Sequence, residues 1–236
     1  MKTDEKAARV QAMFAGIARR YDLANDLISF GQHRAWKRRA ADLSRIPAGG
    51  HALDLCTGTG DLAILLAQRA GSGGRVVGVD FCAPMLEIAR NRRRIAAADQ
   101  APIRLLQARA EEIPLESGRF DGCTVAFGLR NVSDIDAALA EVWRVLKPAG
   151  RLVSLDCSTP DLPIFAPLFA FYFNRIVPII GALVNQSRSA YTYLPESVAS
   201  FPQKHEMCRR MRSAGFSTAT YYQICGGAVA IHVAEK

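Results

Sequence analysis

The sequence lacks the cysteine patterns that mark metal-binding and disulfide-rich proteins. Its 236 residues include six cysteines, and none of them forms a C-x-x-C pair. Such pairs are the usual signature of a zinc ribbon, and a disulfide framework needs cysteines at close, regular spacing. Cys56, Cys82 and Cys157 fall near the ends of predicted strands, where small buried thiols are the more common use. We therefore expect no metal site and no disulfide framework.

The sequence also has little that would send it out of the cell or across a membrane. Residues 1–9 alternate charged and small side chains and lack the apolar core of a secretory signal. The longest apolar stretch, residues 160–184, contains Asp161, Asn174, Arg175 and internal prolines. These residues divide it into pieces shorter than the roughly 20 residues that span a bilayer. We therefore expect a cytoplasmic protein without a transmembrane helix.

Acidic residues are fewer than basic ones, 22 against 30, so the formal net charge is +8. Part of the excess lies in two short clusters, residues 34–39 and 90–94. Neither cluster is interleaved with aromatic residues in the way that is typical of proteins binding single-stranded nucleic acid. We expect no nucleic-acid partner, whereas attraction to an anionic membrane surface agrees with the charge. The sequence does not decide the oligomeric state, and a homodimer is one alternative.

The composition is that of one folded domain. Hydrophobic residues make up 50% and charged residues 22%, and the length is enough for one α/β core but short for two. Residues 7–46 follow a helical, amphipathic pattern that is interrupted near Gly31 and ends in a turn at residues 47–50. Beyond it, short apolar runs predict strands and periodic segments predict helices. The predicted strands are 52–56, Arg75–Asp80, Ile103–Gln107, Phe120–Ala126 and 151–156, and the predicted helices include 84–94 and 135–146.

Strands that alternate with helices imply a parallel sheet, and residues 217–224 and 228–233, on either side of two glycines, predict an antiparallel hairpin. The segment 160–211 is too long and too apolar to be a simple connection between strands. It supplies either extra core helices or a wall for an apolar substrate. We expect an α/β, Rossmann-like fold with a mostly parallel seven-stranded sheet, the order typical of class I methyltransferases. The single domain would comprise an N-terminal helical extension (1–47), a cofactor-binding core (48–157), a helical insertion (158–211) and the hairpin (212–236).

The segment LDLCTGTGD, residues 53–61, carries the most chemistry. Glycines at a strand-to-helix turn let a ligand approach the backbone, and the free N–H groups at the helix start favour an anion. In S-adenosylmethionine that anion is the methionine carboxylate. Asp54 is placed to attract the methionine ammonium. The rival interpretation is the glycine-rich turn of a dinucleotide-binding enzyme. It is disfavoured because the pattern is D-x-x-x-G-x-G and not G-x-G-x-x-G. The predicted cofactor-binding residues of the segment are Asp54, Thr57, Gly58, Thr59, Gly60 and Asp61.

Three later positions extend the predicted cofactor site. Asp80 follows Gly60 by 20 residues, at the end of the second strand, from which a carboxylate accepts the ribose hydroxyls. Arg109 and Ala110 follow the third strand, where an adenine contact is expected, although a solvated loop arginine is the alternative for Arg109. Ala126 ends the fourth strand, close to the expected position of the transferred methyl group.

Three motifs carry a resemblance to a known family: YDLANDLISFGQHRAW at residues 21–36, FGLRNV at 127–132, and RVLKPAG at 144–150 leading into LDCS. With them, the chain resembles the menaquinone and ubiquinone biosynthesis C-methyltransferases, of the demethylmenaquinone methyltransferase type, over nearly its whole length. The family usually has serine where Ala126 stands, and Asn or Asp where Arg109 stands. We therefore expect only main-chain contacts with the cofactor at those two positions. Ala24, Ala149 and Asp156 are conservative departures from the family's Met, Gly and Glu.

The resemblance implies methylation of a prenylated quinol, with demethylmenaquinol favoured over a benzoquinol. Transfer to carbon requires that the quinol lose a phenolic proton and that its oxyanion be stabilised. Arg130 is the first candidate for the oxyanion, with Asn131 beside it; a solvated or helix-capping arginine is the alternative. Asp22 or His33 is the candidate base, although a histidine that only packs between helices remains an alternative. Tyr21 is expected to close over the cofactor.

Two other functions stay open. The chain could methylate another lipophilic phenol or a sterol-like carbon, or it could be a catalytically silent member of a quinone-biosynthesis complex. Intact Asp54, Gly58, Gly60 and Asp80 argue against the silent partner. Because the tail of the substrate resides in lipid while no span is expected, we expect peripheral attachment to the inner face of the cytoplasmic membrane.

Overall fold

A computed structural model describes residues 2–93, 99–163, 165–185 and 188–236; residue 94, the predicted end of one helix, lies outside these ranges. Seven strands form one sheet in the order β3-β2-β1-β4-β5-β7-β6. The first five run parallel, and β7 lies antiparallel between β5 and β6. The predicted sheet and its terminal hairpin are confirmed. The strands are β1 (His51–Leu55), β2 (Arg75–Asp80), β3 (Ile103–Gln107), β4 (Phe120–Ala126), β5 (Leu146–Cys157), β6 (Thr218–Ile224) and β7 (Val229–Glu235).

Helices cover both faces of the sheet, because its central strands are apolar on both sides. Leu62, Leu66 and Ala70 recur at helical spacing on one helix and pack against Ala52 and Val76 of the sheet. On the other face, Leu139 and its neighbours pack into the largest core cluster. The core helices are α4 (Asp61–Ala70), α5 (Ala83–Arg93) and α6 (Ile135–Val145).

The N-terminal extension forms three helices: α1 (Lys2–Ile17), α2 (Tyr21–Ser29) and α3 (His33–Leu43). The predicted interruption near Gly31 is confirmed. Phe30 and Gly31 both have positive φ, and the Gly31 N–H donates to the Asp26 carbonyl at 2.7 Å, which ends α2 in a left-handed turn. A second break, a short 3₁₀ turn at Ala18–Arg20, was not predicted.

The insertion contains a helix that is continuous through its prolines. A π-helical turn, Tyr172–Ile176, joins α7 (Phe165–Phe171) to α8 (Val177–Asn185). It ends two residues before Pro178 and widens the helix where the proline ring would otherwise meet a main-chain carbonyl. The expectation that this stretch is divided into short pieces is therefore wrong. By length and composition alone, the helix Ala166–Val184, with a mean hydropathy of 1.6, could cross a membrane. Core helices of soluble proteins pass the same test, but only 17% of this stretch is buried.

Two more helices complete the insertion range, α9 (Arg188–Ser200) and α10 (Lys204–Ser213). α10 packs against α6, β6 and β7, and buries Met207 and Met211 in the main core cluster. It therefore belongs to the layer that covers the sheet. Within the insertion, the helices that stand away from the sheet are α7, α8 and α9.

Candidate active site

The carboxyl ends of β1 and β4 approach each other closely at the centre of the sheet. Cys56 and Phe127, the residues that follow these strands, both have left-handed backbones, with φ of 54° and 56°. Such a conformation costs roughly 1–2 kcal/mol for a residue other than glycine. A Cβ atom on Gly128 would lie 2.5 Å from the Cβ of Cys56. Glycine at 128 is therefore what allows the two turns to meet.

A cleft, which we call the strand-end cleft, opens beside these turns. Asp80 lies on it, and its carboxylate accepts the N–H groups of Gly58 and Cys82, each at 2.8 Å. Burial raises the pKa of this carboxyl group above its usual value. Nothing lies within 4 Å of the position that a Cβ on Gly58 would take, so the turn is open to a ligand. Predicted residues that line the cleft are Tyr21, Gly58, Asp80, Arg109, Ala110, Ala126 and Asn131.

Asp54 and Thr57 lie beneath the turn and not on the cleft. The Asp54 carboxylate accepts the hydroxyl protons of Thr57, at 2.6 Å, and of Thr124, at 2.9 Å. Burial raises the pKa of Asp54 to about 6. The expected contact between Asp54 and a methionine ammonium is not visible in this arrangement. Both side chains instead hold the turn to β4.

A network of charges ties the N-terminal helices to the same turn. The Thr59 hydroxyl donates to Asp22 at 2.8 Å, and Arg92 lies 3.1 Å from the other Asp22 oxygen. Asp61 pairs with Arg92 and, at 2.7 Å, with Lys37. Asp22 and Asp61 line a polar surface pocket and not the strand-end cleft. The structure thus places the expected base Asp22, and the expected cofactor residues Thr59 and Asp61, in contacts that position the turn.

The strand-end cleft fits S-adenosylmethionine. It combines a buried carboxylate at the end of β2, suited to a ribose diol, with an open glycine turn at the start of α4, suited to a carboxylate. Leu55, Val79 and Met85 supply apolar walls for an adenine ring. No group of three or more His, Cys, Asp or Glu side chains in the described ranges is arranged to hold a metal ion.

A second space, the apolar cavity, has a volume of about 300 Å³ and adjoins the strand-end cleft. Four residues line both, so the two spaces meet at the side chains of Phe14, Tyr21, Phe127 and Asn131. The walls come from α1, α2, α3, α7, the π-helical turn, α9 and the ends of β5 and β7. Large apolar side chains in them include Met13, Ile17, Ile28, Trp36, Phe169 and Phe173.

Polar atoms without partners are concentrated in this apolar cavity. Five residues that line it carry a buried side-chain nitrogen or oxygen with no hydrogen-bond partner among the described residues. Buried polar atoms in native proteins are nearly always paired with protein, water or a ligand, so these five are candidate contacts for a ligand in the cavity. The five atoms are Asn25 Nδ2, His33 Nδ1, Arg130 Nε, Asn131 Oδ1 and Tyr193 Oη.

Arg130 is buried, with 8% of its side chain exposed, which excludes the solvated alternative. Its Nη1 lies 2.5 Å from the Asp156 carboxylate, and its guanidinium lies over the Phe127 ring. Burial opposes the positive charge, but Asp156 more than offsets it and raises the pKa of Arg130. Asn131 donates from Nδ2 to the Phe127 carbonyl at 2.9 Å. Arg130 therefore lines the apolar cavity in its charged form, and Asn131 lies next to it where the two spaces meet.

His33 also lines the apolar cavity, and 3% of it is exposed. Its Nε2 lies 2.9 Å from the carboxylate of Asp26, a residue that sequence reasoning did not single out. Asn25 and Tyr193 were missed as well. A helical period places Tyr21, Asn25 and Ile28 on one face of α2, which was the available signal for Asn25. Tyr193 lies in another helix, and nothing local in the sequence identified it.

Comparisons with known proteins identify the family of the chain. The model of the ubiE/COQ5 methyltransferase family matches residues 2–236. A demethylmenaquinone methyltransferase of Thermus thermophilus is 46% identical over 224 residues, 95% of this chain and all of its own. One of Staphylococcus aureus is 39% identical over 99% of this chain and 96% of its own. The ubiquinone/menaquinone biosynthesis C-methyltransferase UbiE of Geotalea uraniireducens is 42% identical and covers the whole chain and 99% of its own.

Solved structures agree on the fold. A SAM-dependent methyltransferase of Thermotoga maritima, described as a possible histamine N-methyltransferase, superposes with a TM-score of 0.66. It covers 95% of this chain and 99% of its own at 20% identity. A SAM-dependent methyltransferase of Aquifex aeolicus has a TM-score of 0.62 at 18% identity, covering 84% and 88% of the two chains. At such identities the likeness shows the class I methyltransferase fold alone.

Proposed function

The chain belongs to the ubiE/COQ5 methyltransferase family and is an S-adenosylmethionine-dependent methyltransferase; from this premise we propose that it methylates a ring carbon of demethylmenaquinol. Two of the relatives described above are named demethylmenaquinone methyltransferases, and both match nearly the full chain. Those names favour a naphthoquinol over a benzoquinol. The product would be the corresponding menaquinol.

The observation that carries this proposal is the set of five unpartnered polar atoms in a mostly apolar cavity. A quinol head group has two hydroxyls on an apolar ring system, which matches few polar contacts among many apolar ones. The cavity meets the strand-end cleft at the four side chains that line both, so a ring seated there would face the cofactor. A volume of about 300 Å³ suits a bicyclic ring with the start of its tail.

The side chains around the quinol ring have separate roles in the reaction. S-adenosylmethionine, when bound, supplies an electrophilic methyl group. Arg130 supplies positive charge for the oxyanion of the quinol, through the Nε–H that has no partner among the described residues. Asp156 holds the guanidinium in place. Tyr21 and Asn131, which line both spaces, orient the ring toward the methyl group and exclude water.

We also propose peripheral attachment to the cytoplasmic membrane, through a surface at the mouth of the apolar cavity. Phe30 lines the cavity and is 77% exposed, so the cavity reaches the surface there. Beside it, α2 packs against α8, and Arg20 donates to the Val184 carbonyl at 2.6 Å, which places a cation at the edge. A prenyl tail leaving at Phe30 would enter lipid directly. The exposed apolar residues of this surface are Leu23, Leu27, Phe30, Leu168, Phe171, Ile179 and Leu183.

A paired assay tests the substrate. Labelled methyl transfer is measured with a demethylmenaquinol under reducing conditions, with a demethylated benzoquinol and the oxidised quinone alongside. We expect transfer to the naphthoquinol, slower transfer to the benzoquinol, and none to the quinone, whose ring is electron-poor. Turnover on an unrelated lipophilic phenol with neither quinol accepted would instead support the broader phenol methyltransferase. Cofactor binding without transfer to any of them would support the silent partner.

Vesicle flotation tests the membrane surface. Leu168→Ser combined with Leu183→Ser should reduce binding to vesicles of phosphatidylcholine and phosphatidylglycerol at least fivefold, while turnover on a short-tailed quinol stays unchanged. Tyr222→Ser, which removes an exposed aromatic ring from β6, is the matched control and should bind normally. Phe169 and Phe173 do not serve here, because they stack on each other inside the cavity. Equal vesicle binding by the double variant and the wild type would refute this surface.

A further inference from the structure

A carboxylate–histidine pair lies behind the apolar cavity, on α2 and α3. His33 Nε2 is 2.9 Å from Asp26 Oδ1. Asp26 also accepts two N–H groups of Arg34, from Nε to Oδ1 at 2.8 Å and from Nη2 to Oδ2 at 2.6 Å. The Arg34 side chain is 63% exposed, whereas that of His33 is 3% exposed. The pair thus runs from the protein surface to a buried imidazole.

This arrangement fixes which nitrogen of His33 carries the proton. The hydrogen bonds from Arg34 lower the pKa of Asp26, so its carboxylate is ionised and can only accept. The bond from His33 must then be donated by an Nε2–H. In the neutral ring, Nδ1 consequently has a lone pair. Nδ1 is buried and has no hydrogen-bond partner in the part of the chain that the structure describes.

We propose that His33 is the catalytic base of the methyl transfer, that its Nδ1 removes the phenolic proton of the quinol, and that Asp26 positions the ring for this step. The proposal rests on the proposed function and deepens it by assigning the proton acceptor. Asp26 is a positioning residue, since it acts through His33. In other enzymes, too, a carboxylate accepts a hydrogen bond from one ring nitrogen of a catalytic histidine while the other nitrogen accepts the proton.

The proton and the electrons balance. The phenolic O–H bond breaks and an N–H bond forms at Nδ1, and the electron pair moves into the ring and forms the new carbon–carbon bond to the methyl group. The bond between this methyl group and the sulfonium sulfur breaks at the same time, and its electron pair stays on sulfur, which leaves as the thioether S-adenosylhomocysteine. The proton of the methylated carbon then moves to the oxygen, which restores the aromatic ring. One proton therefore remains on His33, and the resulting imidazolium is stabilised by Asp26. This proton is released from His33 to solvent after the product has left.

The surroundings keep His33 neutral and ready to accept a proton. Burial, followed by the nearby charge of Lys37, lowers the pKa of His33 below its usual value. Asp22 lies outside the cavity, within the contacts to Thr59 and Arg92, and so does not compete for this role. Arg130 is charged and serves the oxyanion. His33 is thus the one neutral imidazole among the described residues that line the cavity.

The first test reads the imidazole directly. Nitrogen-15 spectra of the intact protein at neutral pH should show a protonated Nε2 and an unprotonated Nδ1 for His33. In Asp26→Asn the preference for this tautomer should be lost. A proton on Nδ1 in the wild-type protein would overturn the proposal whatever the substrate turns out to be, so this result is independent of the quinol assay.

The second test is kinetic. His33→Gln should lower kcat on demethylmenaquinol by about 10²–10⁴, the usual contribution of a general base, with the KM of the quinol and the cofactor affinity within threefold. Asp26→Asn should lower kcat about tenfold or more, again with little change in KM. Asp42→Asn, which removes a surface ion pair from the same helix α3, is the control and should retain wild-type kcat.

Either of two outcomes would count against the base. Retention of more than a third of wild-type kcat in folded His33→Gln would refute it, and so would a loss confined to KM. If the wild type fails to methylate any quinol while the spectra show the expected tautomer, the proposed function fails and the tautomer assignment stands.

Discussion

The Thr59 hydroxyl donates a hydrogen bond to the Asp22 carboxylate across 2.8 Å, and this contact joins α2 to the turn that follows β1. The two residues are 37 positions apart in the chain. Arg92 lies 3.1 Å from both the Thr59 hydroxyl and Asp22, which adds α5 to the same junction. The N-terminal helices that wall the apolar cavity are thereby held in register with the turn at the strand-end cleft.

The junction predicts that Asp22 is an anchor. Asp22→Asn should lower the free energy of unfolding by about 1 kcal/mol, because it weakens hydrogen bonds to a partly exposed carboxylate. Turnover at saturating substrate should fall less than threefold. Thr59→Val should have a similar effect on stability, and the double variant should be less destabilised than the sum of the two. Urea unfolding and steady-state kinetics measure these effects; a hundredfold loss of turnover in Asp22→Asn would return Asp22 to the role of base.

Asp80 should contribute mainly to cofactor affinity. Asp80→Ala removes a buried carboxylate that lines the strand-end cleft, and should weaken binding of S-adenosylmethionine by about 1.5–3 kcal/mol, or roughly 10- to 150-fold. Asp121→Ala is the matched control. Asp121 also accepts a main-chain N–H, from His51 at 2.7 Å, but stands at the start of β4. Calorimetry should show unchanged affinity for the control; unchanged affinity in Asp80→Ala would remove Asp80 from the site.

Arg130 should act on the chemical step. Loss of one preorganised donor to an oxyanion lowers turnover by about 10²–10³, so we expect that effect from Arg130→Ala, with cofactor affinity within threefold. Arg130→Lys keeps the charge and loses the planar fork, and should recover part of the rate. Single-turnover methyl transfer at saturating cofactor measures both. A loss below about threefold in Arg130→Ala, under roughly 0.7 kcal/mol, would leave the oxyanion role without support.

Stability provides the control for that experiment. Arg130→Ala leaves the Asp156 carboxylate buried without its partner, and breaking a buried ion pair typically costs about 3–5 kcal/mol. Asp156→Glu introduces the residue that the family usually has and retains the pair, so it should keep most of the stability and the rate. Turnover must therefore be compared at temperatures where each variant is shown to be folded.

Much of the sheet could be predicted from the sequence. The bounds of β2, β3 and β4 coincide with the predicted runs, because each is a short apolar stretch bounded by turn residues. β5 differs: it begins at Leu146 and not at Arg151, since residues 147–150 had been assigned to a turn. Leu146 pairs with Phe120 across an irregularity in the register, and that pairing depends on a strand 26 residues away.

The candidate site was less predictable, for a physical reason. Local motifs identified the glycine turn, Asp80 and Arg130, because each follows directly from a strand end. They could not show that Asp54 lies beneath the turn, or that Asp22 pairs with Thr59, since both depend on how separate elements pack. The unpartnered atoms of Asn25 and Tyr193 become visible only once burial is known.

Acid stability depends on a histidine far from the site. His232 on β7 is 2% exposed, and its Nε2 lies 3.1 Å from the carbonyl oxygen of Lys204. Burial lowers the pKa of His232 from 6.5 to about 4. Between these values the unfolded chain binds a proton that the folded protein does not. The folded state is therefore favoured at higher pH, and this contribution is lost as the pH falls from about 6.5 toward 4.

Replacing this histidine should remove that pH dependence. Each pKa unit is worth about 1.4 kcal/mol, so His232 alone should make the wild type lose about 3 kcal/mol of unfolding free energy between pH 6.5 and pH 4. His232→Gln cannot be protonated, so its unfolding free energy should fall by about that much less over the same pH range. The variant should be less stable than the wild type at pH 7, because the buried side chains around position 232 must repack. His205→Gln, on the exposed side of α10, is the control and should follow the wild-type curve. Urea unfolding at half-unit pH steps measures the difference; parallel curves for wild type and His232→Gln would show that His232 is not the group that couples acid to unfolding.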